Sequence, residues 1–260
     1  MHNDQVIFTH QPLTNSKLGA AAAFLYLLTA AVAGFAGWKI GESNREYATV
    51  PLEISSKAYQ FAELNAETVR VNSINGALVY GGLGLCLAVG TILSTKLAAR
   101  GQCPPVLPSI AAFAGVVALS AAPSFVMMPA FAASSDRDPG SLDLTMPLLI
   151  HLGLWAPIGA GIGLLFGILR KRGTAGTIES TLAGAVGATL GTVAFEFLGA
   201  ILMPTDKTNE PMPGTERARL AAAMCISLGI MISLLYSTLR SKHQGCATAT
   251  TPVPVDPTGA

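Results

Sequence analysis

Residues 144–169 read Leu-Thr-Met-Pro-Leu-Leu-Ile-His-Leu-Gly-Leu-Trp-Ala-Pro-Ile-Gly-Ala-Gly-Ile-Gly-Leu-Leu-Phe-Gly-Ile-Leu, bounded by Asp143 and Arg170 with no Asp, Glu, Lys or Arg between. A hydrocarbon core needs about 20 predominantly apolar residues to be crossed by one helix. This stretch is long enough. It does not alternate as a barrel strand would, and lipid cannot satisfy the backbone groups of an open strand or loop. It therefore predicts a membrane-spanning helix.

Five more runs have the same character. They lie between Lys17 and Lys39, Arg70 and Lys96, Arg100 and Asp136, Glu179 and Asp206, and Arg219 and Arg240. Only the run from Glu179 to Asp206 is interrupted, by Glu196. The expected fold is an all-α integral membrane protein, a bundle of six spans at about residues 18–38, 75–95, 109–128, 146–169, 180–203 and 220–239. Composition agrees. Of 260 residues, 12% are charged and 51% are hydrophobic, and mean hydropathy is +0.51, whereas soluble domains carry about 25% charged residues. A net charge of +1 does not point to nucleic acid. The expected partner is the bilayer itself, with a second copy or another membrane protein beside it.

Residues 1–17 and 244–260 are expected to be disordered cytoplasmic termini flanking a membrane domain at 18–243. The tail from Gly245 has no core-forming pattern. The run after Lys17 is too long for the h-region of a signal peptide, so the first span is expected to be retained.

The links between spans differ in kind. Those at 96–101 and 170–173 are short and basic, and Arg240 and Lys242 follow the last span. The links at 41–74, 130–145 and 204–219 are longer and carry most of the acids. The positive-inside rule then puts both termini in the cytoplasm of a plasma or inner membrane. In the long external loop 41–74, apolar residues from Ile54 to Val71 recur at helical spacing, with Glu67 and Arg70 an i, i+3 pair. Either a short helix lying on the interface or a solvated connector with a helical turn is expected there. A spacing of about 72 residues relates Gly101 to Gly173, Ser124 to Glu196 and Pro139 to Pro211. It suggests three parallel two-helix repeats.

Small residues recur every fourth position: Gly159, Gly163 and Gly167 on the fourth span, and Ala183, Gly187 and Gly191 on the fifth. Such a stripe lets two backbones approach closely, which is how helices gain contact in lipid. It specifies packing and no activity. Pro123, Pro129 and Pro157 remove backbone donors and predict kinks.

The residues with chemistry to offer are few. A carboxyl group inside the membrane costs roughly 2.5–3.5 kcal/mol on insertion scales, so Glu196 is expected to face protein or water and to have a partner. His151, Tyr80 and Ser124 are expected at the same depth on other spans, forming a polar cluster with it. A Glu–His pair at that level would be a transport or proton site. No catalytic residue is assigned, because no P-loop, HExxH, GxSxG or dinucleotide fingerprint occurs. No metal site or cofactor is expected. Cys86, Cys103, Cys225 and Cys246 make no CxxC, and the acidic turn 136–143 lacks the closing Glu of a calcium loop. Two functions are consistent with these features. The first is a scaffold or accessory subunit acting through helix packing. The alternative is a small-solute or proton-coupled transporter using Glu196 and His151.

Overall fold

The computed structural model describes residues 15–47, 57–98, 106–137 and 145–248. Among the described residues there are helices and no strand. The elements are α1 (Asn15–Ser43), α2 (Lys57–Ala98), α3 (Val106–Ala121), α4 (Ser124–Arg137), α5 (Thr145–Leu169), α6 (Gly173–Leu202) and α7 (Glu216–Thr248). Taking α3 and α4 together, six helical segments are long and apolar enough to cross a membrane. The protein is a membrane-embedded helical bundle.

Neighbouring spans pair in a closed ring: α1 with α2, α2 with α3, α3 with α5, α5 with α6, α6 with α7, and α7 back to α1. Helices α2 and α5 also meet across the middle. That fits the position of α5, most of whose residues are buried or half-buried. Its Leu154, Trp155, Ile158, Ile162, Leu165 and Phe166 are fully buried. On the outer helices, Phe24, Val32, Leu107, Ile110, Leu182 and Leu190 stand exposed, as lipid-facing side chains do.

The helices run past the apolar stretches that announce them. The apolar run reports only hydrocarbon thickness, while a helix continues into the interface until something caps it. The largest difference is in α2. Its 42 residues amount to about 63 Å at 1.5 Å per residue, far more than one bilayer core. The segment expected as an external loop with a separate interfacial helix is, from Lys57 onward, the first part of α2 itself. The Glu67–Arg70 pair forms on it, at 2.7 Å. Ile54, where the helical spacing begins, lies outside the described residues, as do the repeat landmarks Gly101 and Pro139. Likewise, α1 begins at Asn15 and α7 extends to Thr248, inside both segments expected to be disordered. The remaining residues of those segments, 1–14 and 249–260, are not described.

Of the three prolines, only Pro123 interrupts its span. The backbone turns at 122–123, and Met127 and Val126 donate to the Pro123 carbonyl as α4 restarts. Pro129 and Pro157 sit inside continuous helices.

Small residues mark the seams. A Cβ on Gly163 would lie 2.1 Å from the Ser180 carbonyl oxygen, and one on Gly159 would lie 2.2 Å from that of Gly184. Gly167 faces the Thr177 backbone at 2.7 Å. The α5 stripe therefore packs against the Thr177–Ser180–Gly184 face of α6. Gly187 and Gly191 point elsewhere, toward the Gly229 and Cys225 carbonyls of α7 at 2.5 and 2.6 Å. Ala183 on α6 is half-buried against the core. The two stripes thus serve different partners, and α6 is clamped between α5 and α7.

Candidate functional site

His151 lies six residues into α5 and Glu196 six residues before the end of α6. Each is therefore about 9 Å inside its helix end at 1.5 Å per residue. Because α5 and α6 run antiparallel, the two reach the same level. His151 is fully buried, and Glu196 keeps 21% of its side chain exposed. Nδ1 of His151 meets Oε1 of Glu196 in a hydrogen-bonded pair. On its other side, Nε2 lies 3.0 Å from the Glu210 carbonyl oxygen.

Aromatic rings wall the imidazole. Trp155 stacks on it with centroids 4.7 Å apart, and Phe195 approaches edge-on at 6.1 Å. Trp155 is one helical turn after His151, and Phe195 immediately precedes Glu196 in the chain. The same two turns therefore supply both the polar pair and its wall. Tyr80 of α2 stands behind Trp155, with ring centroids 6.4 Å apart.

The donor and acceptor inventory fixes how many protons this arrangement holds. A carbonyl oxygen only accepts, so Nε2 carries a hydrogen and donates it to Glu210. That leaves Nδ1 facing a carboxyl oxygen. One more proton must lie between them, either on the imidazole as His⁺ or on the carboxyl group. In both arrangements the pair is neutral as a whole. If that proton left, the Nδ1 lone pair would face a carboxylate with nothing between them.

The segment 203–215 folds over this end of the bundle. Three of its carbonyls accept hydrogen bonds from buried side chains of three different helices. Glu210 accepts from His151 of α5 (3.0 Å), Pro211 from the Tyr80 hydroxyl of α2 (2.6 Å), and Pro213 from Arg219 Nη1 of α7 (2.7 Å). Met212 is buried between these anchors. Arg219 also forms a buried ion pair with Glu42 at the end of α1, its Nη2 being 2.9 Å from Oε2. Within the segment, the Asp206 carboxylate accepts from Arg217 at 2.7 and 3.0 Å and from Thr215 at 2.9 Å. The guanidinium hydrogen bonds hold that carboxyl below its ordinary range.

The structure thus brings together His151 and Glu196, places Tyr80 one ring away, and keeps Ser124 apart. Ser124 is the first residue of α4, fully buried, with its Oγ beside Gly76 and without a hydrogen-bond partner among the described residues. Its break in the helix, rather than any link to Glu196, accounts for its position. The segment 203–215 carries no signal in the sequence, since every residue has a carbonyl and nothing marks three of them as acceptors. The Arg219–Glu42 pair is equally hidden there, because each residue sits at the edge of an apolar run where an unpaired charge is ordinary.

Glu196 opens on one side to a cleft of about 570 Å³ between α5, α6 and the 203–215 segment. Leu148, Val193, Phe197, Ala200 and Pro204 give it apolar walls, and Lys207, Thr208 and Asn209 form its rim. Oε1 is engaged with His151, whereas Oε2 has no partner among the described residues. No cluster of three or more His, Cys, Asp or Glu able to hold a metal occurs among the described residues.

The fold and site define a class: a six-span membrane bundle with a carboxyl–imidazole pair buried at one end. Comparison with protein-family models, with curated proteins and with solved structures finds no match to this chain.

Proposed function

We propose that this protein is a proton-linked carrier of a small solute, with the Glu196–His151 pair as its proton site. One observation carries the reading: a fully buried imidazole sits between two oxygen atoms, and the carboxyl group that supplies one of them opens to a cleft. Intramembrane ionisable groups with a partner and a route to the outside are the usual parts of proton relays. The charged or titratable groups bonded to or lining the surroundings of the pair are Tyr80 of α2, Arg219 of α7 with its partner Glu42 of α1, Lys207 and Glu210 of the covering segment, Asp206 of that segment with its partner Arg217, and Arg45, which lines a groove with Glu210. Helix α3 and the described side chains of α4 contribute none. Within this reading the basic connections face the cytoplasm of a plasma or inner membrane, and the site lies near the opposite face.

A scaffold or accessory role is the second reading. It is favoured by the centre of the bundle, which Trp155, Ile158 and Phe166 of α5 and Leu83 and Leu87 of α2 fill with large buried side chains.

Proteoliposomes under an imposed pH gradient separate the two. Wild-type protein is expected to dissipate the gradient, and Glu196→Gln is expected to lose at least about nine-tenths of that flux, since removing an essential relay group removes the path. Equal flux in both proteins, or none in either, would leave the scaffold reading.

A further inference from the structure

We propose that the cleft beside Glu196 binds a lipophilic primary amine, which takes the place of the proton held by the Glu196–His151 pair. The inference rests on the proton-site reading and names the class of solute that site accepts.

Three observations lead to it. The first is the shape of the cleft, whose apolar walls (Leu148, Val193, Phe197 and Ala200) are suited to a hydrocarbon tail entering from the lipid. The second is the free oxygen. Whether the shared proton sits on the imidazole or on Oε1, Oε2 is an acceptor only, so the ligand must bring a donor. The third is charge. With its proton the pair is neutral, and a net charge buried in an apolar site is costly. An ammonium group arriving at Oε2 would make the site cationic unless the shared proton leaves. Releasing that proton to water restores neutrality. The carboxylate then pairs with the ammonium, and neutral His151 keeps its Nε2–H on the Glu210 carbonyl, while Nδ1 and Oε1 draw apart because no proton bridges them any longer.

A neutral alcohol would also satisfy Oε2, but it brings no charge, displaces no proton and forms no ion pair with the carboxylate. The links at this end of the bundle carry more acids than bases, which draws cations toward the mouth. Lys207 at the rim opposes this. It is 71% exposed and paired with Glu210 at 3.3 Å, so water and its partner screen it.

The experiment uses full-length protein in phosphatidylcholine nanodiscs, with empty nanodiscs subtracted, and titrates octylamine against octanol by calorimetry in two buffers of different ionisation enthalpy. Octylamine is expected to bind at least about tenfold more tightly than octanol and to release about one proton per molecule bound, with tighter binding as pH rises. Glu196→Gln should lose about tenfold in affinity and all of the proton release. Ala200→Phe, which fills the cleft one helical turn from Glu196 and leaves both members of the pair in the sequence, should weaken binding with the His151 ring resonances unchanged. Equal affinity for alcohol and amine, amine binding without proton release, or undiminished binding by both variants would overturn the proposal. Proton flux in liposomes without amine binding would overturn this inference and leave the carrier reading standing. Amine-linked proton release without flux would do the reverse.

Discussion

The two ends of the α5–α6 pair are closed in opposite ways. At the basic end the chain turns within residues 170–172 through backbone hydrogen bonds, and Arg172 Nη1 donates to Ser180 Oγ at 2.9 Å. Arg172 N–H donates to the Gly167 carbonyl and Lys171 N–H to that of Ile168, with Lys171 at φ 50°. This is the Schellman arrangement of a helix end. Just inside it, Gly163 and Gly167 bring α5 against the backbone of α6. At the acidic end the segment 203–215 is held by side-chain bonds from His151, Tyr80 and Arg219 to its carbonyls. One end is held mainly by close backbone packing, the other by side-chain hydrogen bonds to the carbonyls of a covering segment. The buried carboxyl–imidazole pair lies at the second of these ends.

The polar end should break hardest when one partner of a buried pair is removed. Arg219→Met leaves the Glu42 carboxylate unpaired and the Pro213 carbonyl without its donor. The expected cost is about 3–5 kcal/mol, read as a lower midpoint in thermal unfolding of the detergent-solubilised protein. Removing both charges, in Arg219→Met with Glu42→Met, should recover much of that loss. A double variant as unstable as the single one would show that the pair is not the element holding α1 to α7.

The closely packed end is next. Gly163→Ala puts a methyl group where the Ser180 carbonyl already lies, and neither backbone can yield without separating the helices. A cost of about 2–3 kcal/mol is expected, at the upper end for overpacked sites. Gly115 supplies the control, since a Cβ there meets nothing within 4 Å. Gly115→Ala should be neutral or slightly stabilising through helix propensity. Similar losses at both positions would mean that α5 and α6 do not meet as described.

A pH change should act on the polar end alone. The Asp206 carboxyl is held below its ordinary value of 3.8 by Arg217 first, with Thr215 adding to it. A group whose folded pKa is depressed contributes stability above its unfolded pKa, and that contribution is lost as pH falls through the folded value. Protection of residues 203–215 against hydrogen exchange should therefore decline below about pH 4. Asp206→Asn should show the weaker protection at neutral pH and lack the further acid-dependent decline. An unchanged acid response in that variant would assign it to another carboxyl group.

The same contrast explains what can be read from the sequence. The spans are legible because hydrocarbon thickness is written directly into composition. The stripe at Gly159, Gly163 and Gly167 announces a close seam, since only missing side chains permit one. Nothing in the letters says that the second stripe turns toward α7. Glu196 and His151 stand out because intramembrane polar groups are expensive and need partners. Tyr80 can be placed in depth but not in its bond to Pro211, 131 residues away. Ser124 is misplaced because equivalence to Glu196 in a repeat gives a depth and no direction, while the Pro123 break decides where that hydroxyl points. Backbone carbonyls and edge charges, which organise the acidic end, have no distinctive letter.

The smallest effect should appear at the backbone turn of the basic end. Lys171 occupies the left-handed region that an L side chain enters at a cost, and in Schellman ends that position is usually glycine. Two residues on, Gly173 takes the turn's other left-handed position, at φ 70°, without that cost. Lys171→Gly removes the Cβ penalty but frees the unfolded chain, so the two effects partly cancel. A net gain of about 0.5–1 kcal/mol is expected, seen as a slightly raised unfolding midpoint with no change in the flux assigned to Glu196. A loss of stability would mean that the lysine charge beside the helix C-terminus outweighs the backbone strain. In that case the basic end, too, would depend on electrostatics, and the contrast between the two ends would be one of degree.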